Sequence, residues 1–150
     1  MPTTIRRGTA RDGAAVGEVF LAARATMTYL PRVHTDEETR SHFKRVAKEA
    51  QDLWVAERDG KVVGFAVVHD GMLDHLYVHP SRFKSGTGTK LFKEACAAHP
   101  EGFTFWAFQQ NTGARRFYER HGCALVEMTD GRDNEENTPD VRYVWPAPGR

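Results

Sequence analysis

The sequence has little cysteine and no long apolar run, and each shortage excludes a class of protein. Its two cysteines, Cys96 and Cys123, form no Cys-x-x-Cys pair and no Cys/His cluster with zinc spacing. We therefore expect two buried thiols, in preference to a disulfide or a nucleophile. The longest apolar runs, such as residues 65–68, are far too short to span a bilayer, and residues 1–7 lack the apolar stretch of a signal peptide. The sequence thus predicts a soluble, cytoplasmic protein with no membrane partner.

An excess of charge of one sign is also lacking. Lys plus Arg number 21 and Asp plus Glu number 20, which gives a net charge of +1. A protein that binds nucleic acid through its phosphates usually carries a larger basic excess, so we expect no nucleic-acid partner. No His/Asp/Glu cluster shows ligand spacing, and we expect no metal. With 150 residues, 40% of them hydrophobic and 27% charged, the composition is typical of one globular domain over residues 1–150.

Residue periodicity predicts helices in the first third of the chain and strands after it. The segments 9–12 and 35–38 have the spacing of capping boxes, and each precedes an amphipathic helix. Asp59-Gly60, between two apolar runs, indicates a tight hairpin. The predicted strands lie at residues 4–7, 53–56, 62–68, 72–78, 103–107, 123–128 and 141–145, and two later helices at 87–98 and 112–121. This order predicts a mixed α+β fold with a central, mostly antiparallel sheet of six to seven strands flanked by about four helices.

The segment 76–91 combines a strand, a short Ser/Gly/Lys-rich loop and the start of a helix. Backbone N–H groups at a helix N-terminus, with glycines that allow close approach, suit a pyrophosphate. The segment is not a P-loop, because Lys90 is followed by Leu91, and Leu91 also replaces the third glycine of the dinucleotide fingerprint. A turn and helix start without a ligand is the structural alternative.

A second segment, residues 111–123, predicts a helix with its own start and stop signals. Asn111 can cap the helix, and Gly122 suits a left-handed C-terminal stop. Between His79 and His121, seven Lys or Arg stand against three Glu. This segment therefore carries the positive charge that a polyphosphate ligand favours.

Together the two segments resemble the motifs of the GNAT superfamily of acetyl-CoA-dependent N-acetyltransferases. The first is similar to its pyrophosphate-binding motif, strand–Pro-x-x-Gln/Arg-x-x-Gly-x-Gly/Ala. The second is similar to its Asn-x-x-Ala-x-x-Phe-Tyr-x-x-x-Gly-Phe motif, with Cys123 in place of the final Phe. The resemblance extends over the order of elements in the whole chain. It departs from the family at Phe83, where Gln or Arg is usual, and at Lys84, where Gly is common.

The resemblance implies acetyl-CoA as the cosubstrate and assigns residues to it. The backbone of Leu76, Tyr77 and Val78 would face the acetyl-pantetheine arm, and Asn111 would contact the cofactor. The residues implied to surround the pyrophosphate are Lys84, Ser85, Gly86, Thr87, Gly88 and Thr89.

Amide formation requires a proton donor for the departing thiolate and a proton acceptor for the amine. The resemblance places Tyr118 near the sulfur as the general acid, although a purely structural aromatic is an equal alternative. The glutamate that many family members use as base corresponds to a position near Met72. Asp74 and His75 are the nearest titratable residues, and strand alternation predicts that they point to opposite faces. An ordered water, or an amine that arrives neutral, would remove the need for either.

The resemblance places the acceptor between the first two helices and the loop before the last strand. Tyr29, His34 and Glu135 are the substrate-binding residues we expect there, and Asp133 or Glu136 could also attract a cationic amine. A solvated polar loop is the ordinary interpretation of such an acidic run.

The expected function is acetyl transfer to a primary amine of a small molecule, a peptide N-terminus or a lysine. One alternative is transfer from a different acyl-CoA. Another is a catalytically silent CoA-binding or regulatory domain, which Phe83 and the missing glutamate favour. Family members often form dimers, so the resemblance also allows a homodimer.

Overall fold

The computed structural model of the protein describes residues 2–50 and 52–149. The strands are β1 (Thr4–Arg7), β2 (Asp52–Arg58), β3 (Lys61–His69), β4 (Met72–Val78), β5 (Phe103–Phe108), β6 (Ala124–Thr129) and β7 (Asp140–Trp145). The helices are α1 (Gly13–Ala25), α2 (Asp36–Glu49), α3 (Thr87–Ala98) and α4 (Thr112–Arg120). The predicted mixed α/β fold and the order of its elements are confirmed.

Local hydrogen bonds explain where the first two helices begin. The backbone N–H of Thr9 donates to Asp12 over 2.8 Å and opens a 3-10 turn that leads into α1. Thr35 and Glu38 form a reciprocal box at the start of α2, with bonds of 2.8 and 3.1 Å. Each box satisfies N–H groups that the first turn of a helix leaves free, so both predicted helix starts are confirmed.

The seven strands form one sheet in the order β1-β2-β3-β4-β5-β7-β6. All neighbours are antiparallel except β4 and β5, which run parallel and share a single register pair, Met72 with Thr104. The β2–β3 hairpin turns at Asp59 and Gly60, both with positive φ, as the sequence predicts. The sheet therefore consists of two well-paired halves that meet at one point.

Alternating side chains of the central strands pack into two separate cores. Leu53 and Phe65 belong to the cluster beneath α1 and α2, whereas the adjoining Trp54 and Ala66 belong to the cluster beneath α3 and α4. All four residues are at most 2% exposed. Helices on both faces thus explain why β2 and β3 are apolar without alternation.

Two glycines of α1 face α2 at different distances. A Cβ added to Gly13 would lie 2.9 Å from the Cα of Lys44, a backbone atom that cannot move alone. A Cβ added to Gly17 would lie 3.6 Å from the Cβ of Phe43, which is ordinary van der Waals contact. The close crossing of the helices therefore depends on Gly13 and not on Gly17.

We predict opposite effects of alanine at these two positions. Gly13→Ala should lower the free energy of unfolding by about 1–3 kcal/mol, because the added methyl forces the helices apart. Gly17→Ala should raise it by about 0.5–1 kcal/mol, because alanine is the better helix former and the space accepts it. Urea unfolding of both variants measures the difference, and equal values would contradict the packing described.

Candidate functional site

The gap between β4 and β5 is the central feature of the site. After the pair Met72–Thr104 the two strands share no further register. The N–H of His79 donates to the carbonyl of Val63 on β3 over 2.8 Å. Because backbone groups alternate along a strand, those of Leu76 and Val78 point away from β3 and into the gap. They are available to an extended ligand that carries amides.

A cleft of about 2120 Å³ runs through this gap and reaches both helical layers. Most of the residues predicted to bind or transform ligands line it, and these are Tyr29, His34, Asp74, His75, Leu76, Tyr77, Val78, Lys84, Gly86, Gly88, Thr89, Asn111, Tyr118 and Glu135. A cleft of this volume exceeds the 300–1,000 Å³ that is typical of a site for one small ligand. It has room for a long cosubstrate and a second molecule.

The predicted residues Ser85 and Thr87 do not line the cleft but shape the loop. The Ser85 hydroxyl donates to the carbonyl of Arg82 over 2.6 Å and lies 2.9 Å from the Thr87 hydroxyl. Thr87 is only 1% exposed. Both hydroxyls are therefore engaged within the loop, whereas the main-chain N–H groups of the segment remain available to a ligand.

The N-terminus of α3 is open for an anion. Its N-cap residue Gly86 adopts φ +88° and provides no side-chain cap for the first turn. Behind it, Gly64 of β3 allows α3 to approach closely, because a Cβ there would lie 3.0 Å from Leu91 and 3.1 Å from the carbonyl oxygen of Tyr77. The free N–H groups of the first turn carry partial positive charge, which favours a phosphate.

Four basic side chains line the cleft beside this N-terminus: Arg82, Lys84, Arg116 and Arg120. The Nε atom of Arg82 is buried and has no hydrogen-bond partner in the protein. A buried guanidinium donor without a partner is costly, whereas phosphate oxygens are its preferred acceptors. The donors at this end therefore fit the pyrophosphate of acetyl-CoA, although Phe83 occupies the usual Gln/Arg position and is 50% exposed.

Tyr118 and Asn111 are placed by α4. The Asn111 side chain accepts from the N–H of Ala114 over 3.1 Å and so caps the helix, as predicted. Tyr118 is 9% exposed, and its ring packs 4.4 Å from that of Phe105. Burial raises the pKa of Tyr118, so its hydroxyl keeps its proton at neutral pH. A protonated phenol on the cleft wall is suited to donate a proton.

Asp74 and His75 have different environments on β4. The register with β3 passes from His75 directly to Leu73, so Asp74 is the extra residue of a β-bulge and the expected strict alternation is interrupted. The Asp74 side chain is exposed, and partial desolvation raises the pKa of its carboxyl. Burial among rings that include Phe43, at 5.0 Å, lowers the pKa of His75 to about 4. His75 is therefore neutral at physiological pH and a weak proton acceptor.

The loop of residues 130–139, called here the acidic loop, is more ordered than a solvated charge run. Asn134 donates to the carbonyl of Thr138 over 2.8 Å and accepts from the N–H of the same residue over 3.1 Å. Glu135 pairs with His34 over 3.0 Å. Glu136 is 9% exposed and pairs with Arg24 of α1 over 3.4 Å. Two carboxylates thus tie the loop to the α1–α2 segment across the cleft.

The charges of the cleft are separated along its length. Four of the basic side chains lie around α3 and α4, whereas carboxylates from α2 and the acidic loop, which outnumber Arg24 and Arg45 there, line the other end. These carboxylates are Glu37, Glu38, Asp130, Asp133, Glu135 and Glu136. An anion is favoured at one end and a cation at the other.

Arg24 is the residue of this site that the sequence does not reveal. It lines the cleft, and its partner Glu136 lies 112 residues further along the chain. No local spacing connects the two residues, so only the folded sheet brings them together.

The two thiols have no role that the site requires. Cys96 and Cys123 are free, and burial raises the pKa of each to about 12, which keeps both protonated and unreactive at neutral pH. Within residues 2–50 and 52–149, no set of three or more His, Cys, Asp or Glu side chains is arranged to hold a metal ion. Over the same residues, every helix is too short or too polar to cross a bilayer.

Comparison with known proteins identifies relatives of this arrangement. The family model of the acetyltransferase (GNAT) domain matches residues 49–122. The peptidyl-lysine N-acetyltransferase YiaC of Escherichia coli K12 is 30% identical over 95 residues, which are 63% of each chain. The peptidyl-lysine N-acetyltransferase YjaB of Salmonella typhimurium is also 30% identical over 95 residues, 63% of this chain and 65% of the relative. Each match therefore spans less than two thirds of the curated relative.

Solved structures share the fold over nearly the whole chain. The apo form of YjaB from Escherichia coli superposes with a TM-score of 0.78 and 24% identity, covering 97% of this chain and 98% of the other. YncA from Salmonella typhimurium, a structure that contains acetyl-CoA, superposes with a TM-score of 0.74 and 19% identity, covering 96% and 92%.

The low pKa of His75 predicts a pH-dependent contribution to stability. The folded pKa of about 4 lies below 6.5, so the contribution is complete above pH 6.5 and is lost as the pH falls towards 4. In the parent protein, His75 should make the free energy of unfolding about 2 kcal/mol lower at pH 5 than at pH 7. His75→Gln should remove this difference, whereas His69→Gln, at an exposed histidine, should keep it. An unchanged pH dependence in His75→Gln would contradict the burial of this imidazole.

Proposed function

We propose that the chain is a member of the GNAT family of acetyltransferases and that it transfers the acetyl group of acetyl-CoA to a primary amine. The observation that carries the proposal is the continuity of the cleft. The open backbone of β4 leads from the uncapped N-terminus of α3, past Tyr118, to an end lined by carboxylates. One side of the chemistry requires an anion site and the other a cation site, and both occur in the same cleft.

The basic end is proposed to hold acetyl-CoA, which supplies the thioester carbon that the amine attacks. The N–H groups at the start of α3, with Arg82 and Lys84, would bind its pyrophosphate. The backbone groups of Leu76 and Val78 would pair with the amides of its pantetheine arm. Asn111 lies on the same wall of the cleft.

Tyr118 and Asp74 are proposed to move the protons. As the new C–N bond replaces the C–S bond, the Tyr118 hydroxyl gives its proton to the departing sulfur. Asp74 is the better of the two expected proton acceptors, because it is exposed and partial desolvation raises the pKa of its carboxyl, whereas burial lowers the pKa of His75 to about 4. Asp74 would take the proton of the amine directly or through a water.

The acidic end is proposed to attract the acceptor as an ammonium ion. Asp133 is exposed, and Glu135 extends from the same loop beside His34. The two curated relatives are named for acetylation of peptidyl lysine. A lysine side chain is long, apolar along its stem and cationic at its tip, which suits a cleft with carboxylates at its mouth. We therefore propose a lysine of a peptide as the acceptor.

A catalytically silent CoA-binding domain is the second candidate, and the exposed Phe83 is the observation that favours it. The unpartnered Nε of the adjoining Arg82 provides a phosphate donor one position earlier in the loop. This replacement donor favours an active loop. Release of free thiol from acetyl-CoA in the presence of a lysine peptide distinguishes the two candidates.

The loop that leads into α3 can be tested by substitution of its glycine. Gly86→Ala forces alanine to φ +88°, a cost of about 1–2 kcal/mol, and should distort the α3 N-terminus. The affinity for acetyl-CoA in calorimetric titration should fall at least about tenfold. Gly60→Ala is the matched control, because Gly60 has φ +76° in a distant hairpin with the same open surroundings. Equal affinity of both variants would remove this loop from the cofactor site.

The next prediction concerns the proton donor. Tyr118→Phe should lower turnover with a lysine peptide about 10²- to 10⁴-fold, as expected for loss of a general acid. The affinity for acetyl-CoA should change little. Tyr143→Phe is the control, because Tyr143 is a buried tyrosine that bonds Glu119 over 2.7 Å and lies outside the cleft. A Tyr118→Phe enzyme with parental turnover would exclude Tyr118 from the mechanism.

A further inference from the structure

Three polar atoms at the acceptor end of the cleft are buried and have no hydrogen-bond partner in the protein. They are Nε of Arg24, the hydroxyl of Tyr29 and Nδ1 of His75, and all three residues line the cleft. Buried polar groups in folded proteins nearly always have a partner, and an unmade bond costs about 1–3 kcal/mol. Because three such atoms lie in one part of one cleft, we expect a bound molecule to provide their hydrogen-bond partners.

Arg24 is held in a fixed orientation. Its guanidinium lies 4.9 Å from the centre of the Phe20 ring and 5.9 Å from that of Phe108. Its Nη1 donates to the buried carboxylate of Glu136 over 3.4 Å. The ion pair balances the charge of Arg24 and leaves Nε–H as a directed donor.

Tyr29 and His75 belong to the same cluster. The Tyr29 ring packs edge-on against Phe108, with the ring centres 6.3 Å apart. Burial raises the pKa of Tyr29 and lowers that of His75. The positive charge of Arg24 lowers the pKa of both groups. Arg24 lies against both Phe20 and Phe108, Tyr29 packs on Phe108, and His75 packs on Phe20 with the ring centres 6.3 Å apart, so the two phenylalanines join the three residues into one cluster.

The donor and acceptor chemistry of the cluster selects its ligand. Arg24 Nε–H and the Tyr29 hydroxyl donate, whereas the neutral His75 accepts at Nδ1 in the tautomer that carries its proton on Nε2. A second carboxylate would be repelled by Glu136 and by the acidic loop. A neutral carbonyl oxygen satisfies the two donors and an N–H group satisfies the acceptor, and the main chain of a peptide carries both.

We propose that Arg24, Tyr29 and His75 bind a main-chain peptide unit of the acceptor, so that the enzyme selects amines carried on a peptide over free alkylamines. This inference rests on the proposed function and adds the residues that set its specificity. Arg24 and Tyr29 would donate to the peptide carbonyl, and His75 would accept from the peptide N–H.

Two acceptors with the same reacting amine test this proposal. One is Nα-acetyl-lysine N-methylamide, which carries peptide units, and the other is n-pentylamine, which does not. In Tyr29→Phe, kcat/KM for the lysine diamide should fall about tenfold more than that for pentylamine, as expected for loss of one hydrogen bond at a buried site. Arg24→Lys keeps the charge beside Glu136 but removes Nε–H, and it should show the same selective loss. If Tyr29→Phe does not fold, the selectivity of Arg24→Lys between the two amines tests the proposal.

Binding gives a readout independent of turnover. The dissociation constant of the lysine diamide from the CoA-loaded protein is measured by NMR titration. It should be about tenfold higher for Tyr29→Phe than for the parent protein. Equal losses for both amines, or no loss for either, would overturn the assignment. If the parent protein acetylates neither amine, the proposed function is wrong, and the binding measurement alone then decides whether the cluster binds a peptide unit.

Discussion

The separation of β4 from β5 is the constraint on which the rest of the structure depends. β4 pairs along its length with β3, and β5 pairs along its length with β7, so the two halves of the sheet meet only at Met72 and Thr104. Main-chain groups inside a sheet are costly without partners. The gap therefore works as a preformed binding edge, and both helical layers contribute side chains to it.

Charge and burial divide this one cleft into two functional ends. The free N–H groups of α3 and the side chains of α4 make one end positive, and the acidic loop makes the other negative. The buried pair of Arg24 with Glu136 joins the loop to α1, so the acceptor end is built from segments 112 residues apart. An amine acceptor and a polyphosphate donor can approach from opposite ends and meet near Tyr118.

Much of the fold follows from local sequence signals, and so does the cofactor half of the site. The capping residues Thr9 and Thr35, the hairpin at Asp59 and the glycine at position 86 act within a few residues of themselves, so their patterns predict their structures. The acceptor half depends on long-range packing, and no spacing predicts that Arg24 contacts Glu136 or that the acidic loop closes on itself. The bulge at Asp74 likewise depends on how β4 pairs with β3. The alternation of residues along β4 alone does not predict it.

The most direct measurement is an NMR titration of the ¹⁵N-labelled protein with CoA, followed at each backbone amide. Large shifts are expected at Gly86, Gly88, Leu76 and Val78, whose N–H groups face the cofactor end, and small shifts at β1 and in the Asp59–Gly60 hairpin. ATP at the same concentration should leave the amides of Leu76 and Val78 unchanged, because it has no pantetheine arm. Shifts confined to another surface, or none at all, would contradict the placement of acetyl-CoA in the gap between β4 and β5.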